Sequence, residues 1–367
     1  MRRVAMMALV LLVGLALGAC SPKKLEEPDA GKPAKVKKEP VKNPYAGLVP
    51  TEIGRHDKGA THVAWSPDGQ QLVSTGRDNK IKLWDLAAAK LVRTFEGHTQ
   101  PVMMAAFSKD GKSLVSASFD ETARVWDTGR GKQLAVLKEK QPKRKLTEEE
   151  EAALAALPPP QVNWAAFTPD GSQVLAACDD FALKLYDVAK AKLVAKFEDE
   201  GCRQRRVIRR RDAAGWISSA GCMDDGVAYI KFWDETGKLT GTRGDERHDA
   251  HFLTYDAQAR FLVAADGSTF LNVFSAQGSF LKQIMVGAYH FCLTFGPDDQ
   301  TLLVGTDGGE IFVYKVDGWT RIGKLDLGGR VAVDGLALHP TNGSLAAALR
   351  DGRVVVFKDP VRLPAGP

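Results

Sequence analysis

From about residue 48 onward, the chain runs in short stretches of alternating apolar and polar positions broken by turn residues, and the same kinds of stretch return in the same order. Lys80-Ile81-Lys82-Leu83-Trp84 and Thr122-Ala123-Arg124-Val125-Trp126 alternate with period two, the mark of a half-buried β-strand. Aligning the aromatic ends of such strands picks out Trp84, Trp126, Tyr186, Trp233, Phe274, Tyr314 and Phe357, spaced by 42, 60, 47, 41, 40 and 43 residues. Each unit follows one plan: an alternating strand, a turn, a strand of small residues, a second turn, then a β-branched strand ending in the aromatic. The first turns are legible as Ser66-Pro67-Asp68-Gly69, Ser108-Lys109-Asp110-Gly111 and Thr168-Pro169-Asp170-Gly171. There Pro presets φ and Gly accepts the left-handed region, so these turns join antiparallel strands. Self-similarity at a fixed period means stacked units that cannot bury their apolar faces alone.

A shorter apolar stretch precedes most units: Leu91 to Phe95, Gln133 to Leu137, Leu193 to Phe197, Phe280 to Val286 and Thr320 to Leu327. Leu48 to Gly54 stands ahead of the first unit and has no unit before it. The repeats resemble the WD40 family across roughly residues 48–358, most closely in the second unit, which has Gly97-His98, Ser116, Asp120 and Trp126-Asp127. The first has His56, Ser74, Asp78 and Trp84-Asp85 at the same offsets. The resemblance implies an all-β, seven-bladed β-propeller in which each short strand is the outer strand of the preceding blade. Leu48 to Gly54 would then pair with Val354 to Phe357 and close the ring, avoiding open sheet edges. It also implies that His56, Ser74, Asp78 and Trp84, and likewise His98, Ser116, Asp120 and Trp126, form buried hydrogen-bond networks that fix strand packing. The later units depart from this pattern: Ala176 and Tyr186 stand in the third, Trp233-Asp234 lies eight residues after Asp225 rather than six, and units five to seven lack the Trp.

The ends of the chain read differently. Arg2 and Arg3 precede a short apolar run, Val4 to Leu17, too short for a comfortable transmembrane span and typical of a signal segment. Its end, Leu17-Gly18-Ala19-Cys20, resembles the lipobox of bacterial lipoproteins, which implies cleavage before Cys20 and lipidation of that residue. Several acyl chains together anchor stably where one does not. Ser21, rather than Asp, follows Cys20, which in that family's sorting pattern points to the outer membrane. Residues 1–20 are thus read as a signal peptide. The Lys-, Pro- and Glu-rich residues 21–47 are read as a disordered tether, residues 48–358 as the propeller and residues 359–367 as a tail. The extra length between Trp126 and Tyr186 is an insertion at 138–160. Thr147 followed by Glu148 to Glu151 starts a capped helix there, running to Leu157 and stopped by Pro158.

Charge removes one class of partner. Of 50 Lys+Arg and 45 Asp+Glu, the first 45 residues take nine basic and four acidic, so the remainder carries 41 of each. A neutral body lacks the electrostatic footprint of a nucleic-acid binder. No nucleophile elbow, HExxH, P-loop or dinucleotide fingerprint stands in its required context. Gly305-Thr306-Asp307-Gly308-Gly309 falls where a hairpin turn is due, and His248-Asp249-Ala250-His251 has no third metal ligand to name, so neither metal nor cofactor is assigned.

The unusual feature is the run Arg203, Arg205, Arg206, Arg209, Arg210 and Arg211 at the inner strand of the fourth unit. Six guanidiniums cannot all be buried without carboxylates. Some must face solvent, the central channel or an anion, which the planar fork of Arg suits, unless they pair internally with the chain's Asp residues. With Cys20 lipidated, four cysteines remain, and the register implied by the resemblance puts Cys202 and Cys222 at one end of blade 4, where they could form a disulfide in an oxidising compartment. Cys178 is the rival partner, Cys292 reads as a buried thiol, and four free thiols are the alternative. The reading is of a monomeric, lipid-anchored, non-catalytic scaffold for protein or peptide partners in the bacterial cell envelope, periplasmic or surface-exposed. The alternatives are a propeller enzyme or cofactor binder, or a binder of anionic glycans or lipids through the Arg cluster.

Overall fold

The computed structural model describes residues 43–140, 147, 159–199, 201–222, 228–244, 252–265 and 269–358. The chain divides into a unit of Met1–Val41 and a unit of Lys42–Pro367, and all described residues belong to the second. Cys20, the helix expected at 148–157, the His248 to His251 cluster and the tail at 359–367 lie outside them.

The described residues form seven four-stranded antiparallel sheets. In six of them the four strands are consecutive in sequence, as the repeated turns dictate. Gly69, in the turn between the first two strands of blade 1, has φ +72°, and a Cβ there would sit 2.3 Å from the His339 ring of blade 7. The turn is locked by Ser66 Oγ donating to Asp68 Oδ1 (2.6 Å), and the same bond recurs between Ser108 and Asp110 (2.7 Å) and between Thr168 and Asp170 (2.6 Å).

The first strands of the blades are Ala60–Trp65, Val102–Phe107, Val162–Phe167, Cys202–Arg209, Phe252–Tyr255, His290–Phe295 and Val333–Leu338. Each touches the next, and the last touches the first, so these seven strands line a central channel. The apolar core lies between blades rather than within them. One cluster joins Val73, Ile81, Leu83 and Phe95 of blade 1 to Val102, Ala105, Leu114 and Trp126 of blade 2, and an equivalent cluster fills each of the other six interfaces. Both faces of the second strands are therefore covered, which explains their small residues: Ser113–Ser118 and Leu345–Leu349 are buried almost throughout. Burying one Val, Leu or Ile contributes roughly 1.5–3 kcal/mol, and no blade could collect enough of these alone.

The seventh sheet is shared between the two ends of the chain. Thr51–Arg55 pairs with Arg353–Phe357, with Thr51 opposite Val356 and Arg55 opposite Arg353, beside Leu345–Leu349 and Val333–Leu338. The register slips between Glu52 and Gly54, where a Cβ on Gly54 would lie 2.2 Å from the Trp84 ring of blade 1. The folded body also begins earlier than the tether boundary of 47 read from composition. Asn43 is bound at both ends of its amide to the backbone of Lys324 (Nδ2 to O 2.8 Å; N to Oδ1 3.1 Å), and Tyr45 is buried in the cluster between blades 6 and 7. A single aromatic with a matching recess, Gly323, outweighs the polar composition around it.

Candidate functional site

One end of each blade carries the start of its first strand and the turn between its second and third strands, and polar groups gather there. In blade 1, His56 Nδ1 lies 2.8 Å from Asp78, His56 Nε2 lies 2.9 Å from Ser74 Oγ, and Trp84 Nε1 donates to the same Ser74 Oγ at 2.8 Å. Blade 2 repeats the arrangement, with His98 to Asp120 at 2.8 Å, His98 to Ser116 at 2.7 Å and Trp126 to Ser116 at 2.9 Å. The Asp120 carboxylate can only accept, so the neutral His98 carries its proton on Nδ1 and donates it there, which leaves Nε2 to accept from the Ser116 hydroxyl while the seryl oxygen accepts from the indole. Burial pushes His98 below the usual imidazole range. Burial works against the Asp120 carboxylate, but bonds from His98, Thr122 and the Thr99 N–H hold it well below its usual value.

Blades 3 and 4 solve the same problem with other residues. Lys184 is buried between Asp180 (2.5 Å) and Glu139 (2.7 Å). In blade 4, Lys231 pairs with Asp199, which also accepts from Gln204 Nε2 at 2.6 Å, while Trp233 Nε1 donates to Ser218 Oγ at 2.9 Å. Cys202 and Cys222 stand opposite each other on the first and second strands and form a disulfide; Cys178 and Cys292 are buried free thiols.

The six arginines do not form one site. Arg209 pairs with Glu235 and Arg210 with Asp212 (2.7 Å) at the far end of the strand, and Arg211 is exposed in the following turn. Arg203 is half-buried beside the disulfide. Only Arg205 and Arg206 face the mouth of the channel. The reason is local backbone geometry. In six of the seven first strands the register slips by one residue near the start, at Thr61, Met103, Asn163, Arg205, Phe291 and Asp334. A bulge leaves one residue unpaired and re-aims its side chain. All six of these side chains line a single cavity of about 350 Å³ at the mouth, a size within the range of ligand pockets.

The charges in this cavity are unequal. Arg350 makes a two-pronged bond to Asp334 (2.7 and 3.2 Å), with Arg77 3.9 Å away from the same carboxylate, and Arg205 bonds to Asp179 at 3.1 Å. Arg206 pairs with no carboxylate among the described residues. Its guanidinium lies 3.7 Å over the Trp164 ring and 4.8 Å from that of Phe252, and its Nε is buried without an acceptor. Burial pushes it down to about 9, so it keeps its charge at neutral pH. His62, edge-on to Trp164 at 5.0 Å, is pushed down to about 3 by burial and by Arg206, and is neutral. Apolar Met103, Phe119 and Phe291 complete the rim. A second recess of about 480 Å³ lies between the turns of blades 2 and 3, but its carboxylates Asp110 and Asp170 are occupied within their own turns.

Sequence reasoning picked out Arg205 and Arg206 but missed the other mouth residues. The signal was present: Thr61, Met103, Asn163, Phe291 and Asp334 each lie 23 positions before the aromatic that ends their blade's third strand.

The match to a known family model falls in the first three blades. The family model described as "WD domain, G-beta repeat" matches residues 49–85, 89–127 and 156–187. Ribosome assembly protein 4 of Saccharomyces cerevisiae is 48% identical over 54 residues, 14% of this chain and 10% of that protein. The probable coatomer subunit beta' of Schizosaccharomyces pombe is 42% identical over 52 residues, 14% of this chain and 6% of that protein. The periodic tryptophan protein 2 homolog of Dictyostelium discoideum is 23% identical over 287 residues, 75% of this chain and 24% of that protein. The chain thus spans a quarter or less of the length of these relatives. The first two matched segments each begin with an outer strand and continue through three strands of the next blade, the phase in which Thr51–Arg55 is the first strand met and the last one needed. The chain is a seven-bladed β-propeller that carries WD40 repeats.

Proposed function

We propose that this chain is a lipid-anchored scaffold of the bacterial cell envelope that docks a protein partner at the channel mouth and performs no chemistry of its own. The observation that carries the docking role is the mouth itself, where bulge residues of six blades converge on one cavity rich in arginine and aromatic rings. Arginine and large aromatics dominate binding energy at protein interfaces, because they combine buried area with directed hydrogen bonds. The first strands beneath the cavity are held by interblade cores on both sides, so the site is preorganised and little entropy is lost on docking. Two of the relatives are named for assemblies, the ribosome assembly protein and the coatomer subunit, and the proposal extends that kind of role to this chain.

The non-catalytic part of the reading rests on the state of the polar groups at the mouth. Asp334 and Asp179 are tied up by arginines, His62 is neutral and enclosed, and neither buried free cysteine lines the cavity. A general base or nucleophile needs a free, reachable group. The anchor and the envelope rest on the sequence, on Arg2-Arg3, the apolar run and Leu17-Gly18-Ala19-Cys20. A photo-crosslinking amino acid placed at Phe119 in the full-length chain, in living cells, tests the reading. A single partner band from Phe119 that is absent from Leu239 on the outer strand of blade 4, and lost in Cys20→Ala, is the expected outcome. Equal labelling from both positions would overturn the mouth as the docking site, and an unchanged band in Cys20→Ala would overturn the anchored scaffold.

A further inference from the structure

We infer that the mouth receives an acidic side chain, an Asp or Glu on a loop or tail of the partner protein, with Arg206 as its counter-ion. This rests on the reading of the mouth as a docking site and names what that site selects. The argument begins from charge balance. Among the described residues, the cavity's four guanidiniums, those of Arg77, Arg205, Arg206 and Arg350, have two carboxylates as ion-pair partners, Asp334 and Asp179, and these are already committed to Arg350, Arg77 and Arg205. Arg206 is left over. A cation drawn into a low-dielectric recess without a counter-ion costs free energy, and removing one partner of such a pair is among the most destabilising changes known in protein interiors. Stacking on Trp164 and Phe252 offsets part of that cost and holds the guanidinium plane in place, while its hydrogen-bonding capacity stays unused among the described residues. The position is also anomalous in its charge: the residue that follows the bulge is the neutral His62 in blade 1, Met104 in blade 2, Trp164 in blade 3, Cys292 in blade 6 and Gly335 in blade 7. An uncharged residue meets the packing requirement there, so packing does not account for a cation.

The surroundings choose among anions. The rim of Met103, Phe119, Phe252 and Phe291 suits a carboxylate flanked by apolar residues of a polypeptide, and the planar fork of Arg matches a carboxylate edge-on. A polyanion such as a nucleic acid or a lipid surface is recognised by an extended basic field, whereas residues 46–367 carry 41 basic and 41 acidic groups.

The test uses the full-length chain in detergent, probed with an array of randomised nonapeptides graded in acidic content, with Gln, Asn and phosphoserine twins of every hit. Hits should require an Asp or Glu beside an apolar residue and lose about tenfold or more in affinity in the Gln or Asn twin, the size of a lost charge-assisted hydrogen bond. Arg206→Met, which copies the side chain that blade 2 carries as Met104, should show the same loss with an unchanged melting temperature or a higher one. Arg206→Lys should recover part of the affinity, and Arg211→Met should bind as the parent does. Hits indifferent to carboxylates or to Arg206 would overturn this inference and leave the docking site standing. An array without hits, together with Arg206-dependent binding to phosphatidylglycerol vesicles, would overturn both.

Discussion

Ser116→Ala tests whether the network in blade 2 holds the propeller together or merely decorates it. The hydroxyl sits 2.7 Å from His98 Nε2 and 2.9 Å from Trp126 Nε1, and all three groups are buried. Its removal strands an imidazole acceptor and an indole donor where water does not reach. Each stranded group costs about 1–3 kcal/mol, and the lost oxygen adds little cavity, so the sum is roughly 2–6 kcal/mol. Urea unfolding followed by far-ultraviolet circular dichroism should show a lower midpoint at unchanged slope. In a Trp126→Phe background the indole donor is already gone, and the same Ser116→Ala change should cost less, by about the 1–3 kcal/mol of one stranded group. A midpoint equal to that of the parent, or an equal cost in both backgrounds, would refute the account.

Other expectations follow from the same geometry. His98 has a folded-state pKa below its ordinary 6.5, so the unfolded chain takes up the proton first, and stability should fall as pH drops below about 6.5. Asp120, also depressed, should add a further loss as pH falls through its ordinary 3.8; a melting temperature flat from pH 7 to 4 would contradict the first sign, and one flat from pH 4 to 2 the second. Gly54→Val drives a side chain into the Trp84 ring and should prevent the closing strand from seating, seen as aggregation or a large loss of melting temperature, while a wild-type melting curve would contradict that packing. Replacing Cys202 and Cys222 together by Ser should lower stability by about 3 kcal/mol, the loop-closure contribution for a separation of 20 residues, and non-reducing peptide mapping of the parent should recover the crosslinked pair. Cys20→Ala should accumulate as unprocessed precursor on a metabolic acyl-labelling gel, and normal maturation would remove the anchor from the proposal.

What could be read from the sequence depended on whether a residue acts through its neighbours in the chain or across the ring. Third strands announce themselves because Ile81, Leu83 and Trp84 alternate with Lys82, and the Pro-Asp-Gly turns carry their own chemistry. The outer strand of blade 4, Leu239–Arg243, went unread, since Leu-Thr-Gly-Thr-Arg has one large apolar residue and leans on strand pairing for its order. Tyr45 was hidden in a Lys- and Pro-rich stretch whose average composition argues for disorder. The arginine run was visible as chemistry but not as geometry: one strand passes from the channel mouth to the far rim, so six adjacent cations end in different surroundings. The mouth was harder still. Thr61, Met103, Asn163, Arg205, Phe291 and Asp334 share no chemical type; the common bulge joins them into one wall, and its trace in the sequence is a fixed offset from the blade's aromatic that Arg205 breaks.

The clasp at the N-terminal end of the propeller has a mechanical consequence. Asn43 and Tyr45 grip the outer strand of blade 6, and only then does the chain cross to blade 7 and run as Thr51–Arg55. A pull on the chain upstream of residue 43 therefore reaches blade 6 before it reaches the seam that closes the ring. The two amide hydrogen bonds of Asn43 and the buried ring of Tyr45 take the load first, and the strand behind them stays slack until they yield. Strain relief of this kind lets the ring be tugged at its N-terminal end without being unzipped.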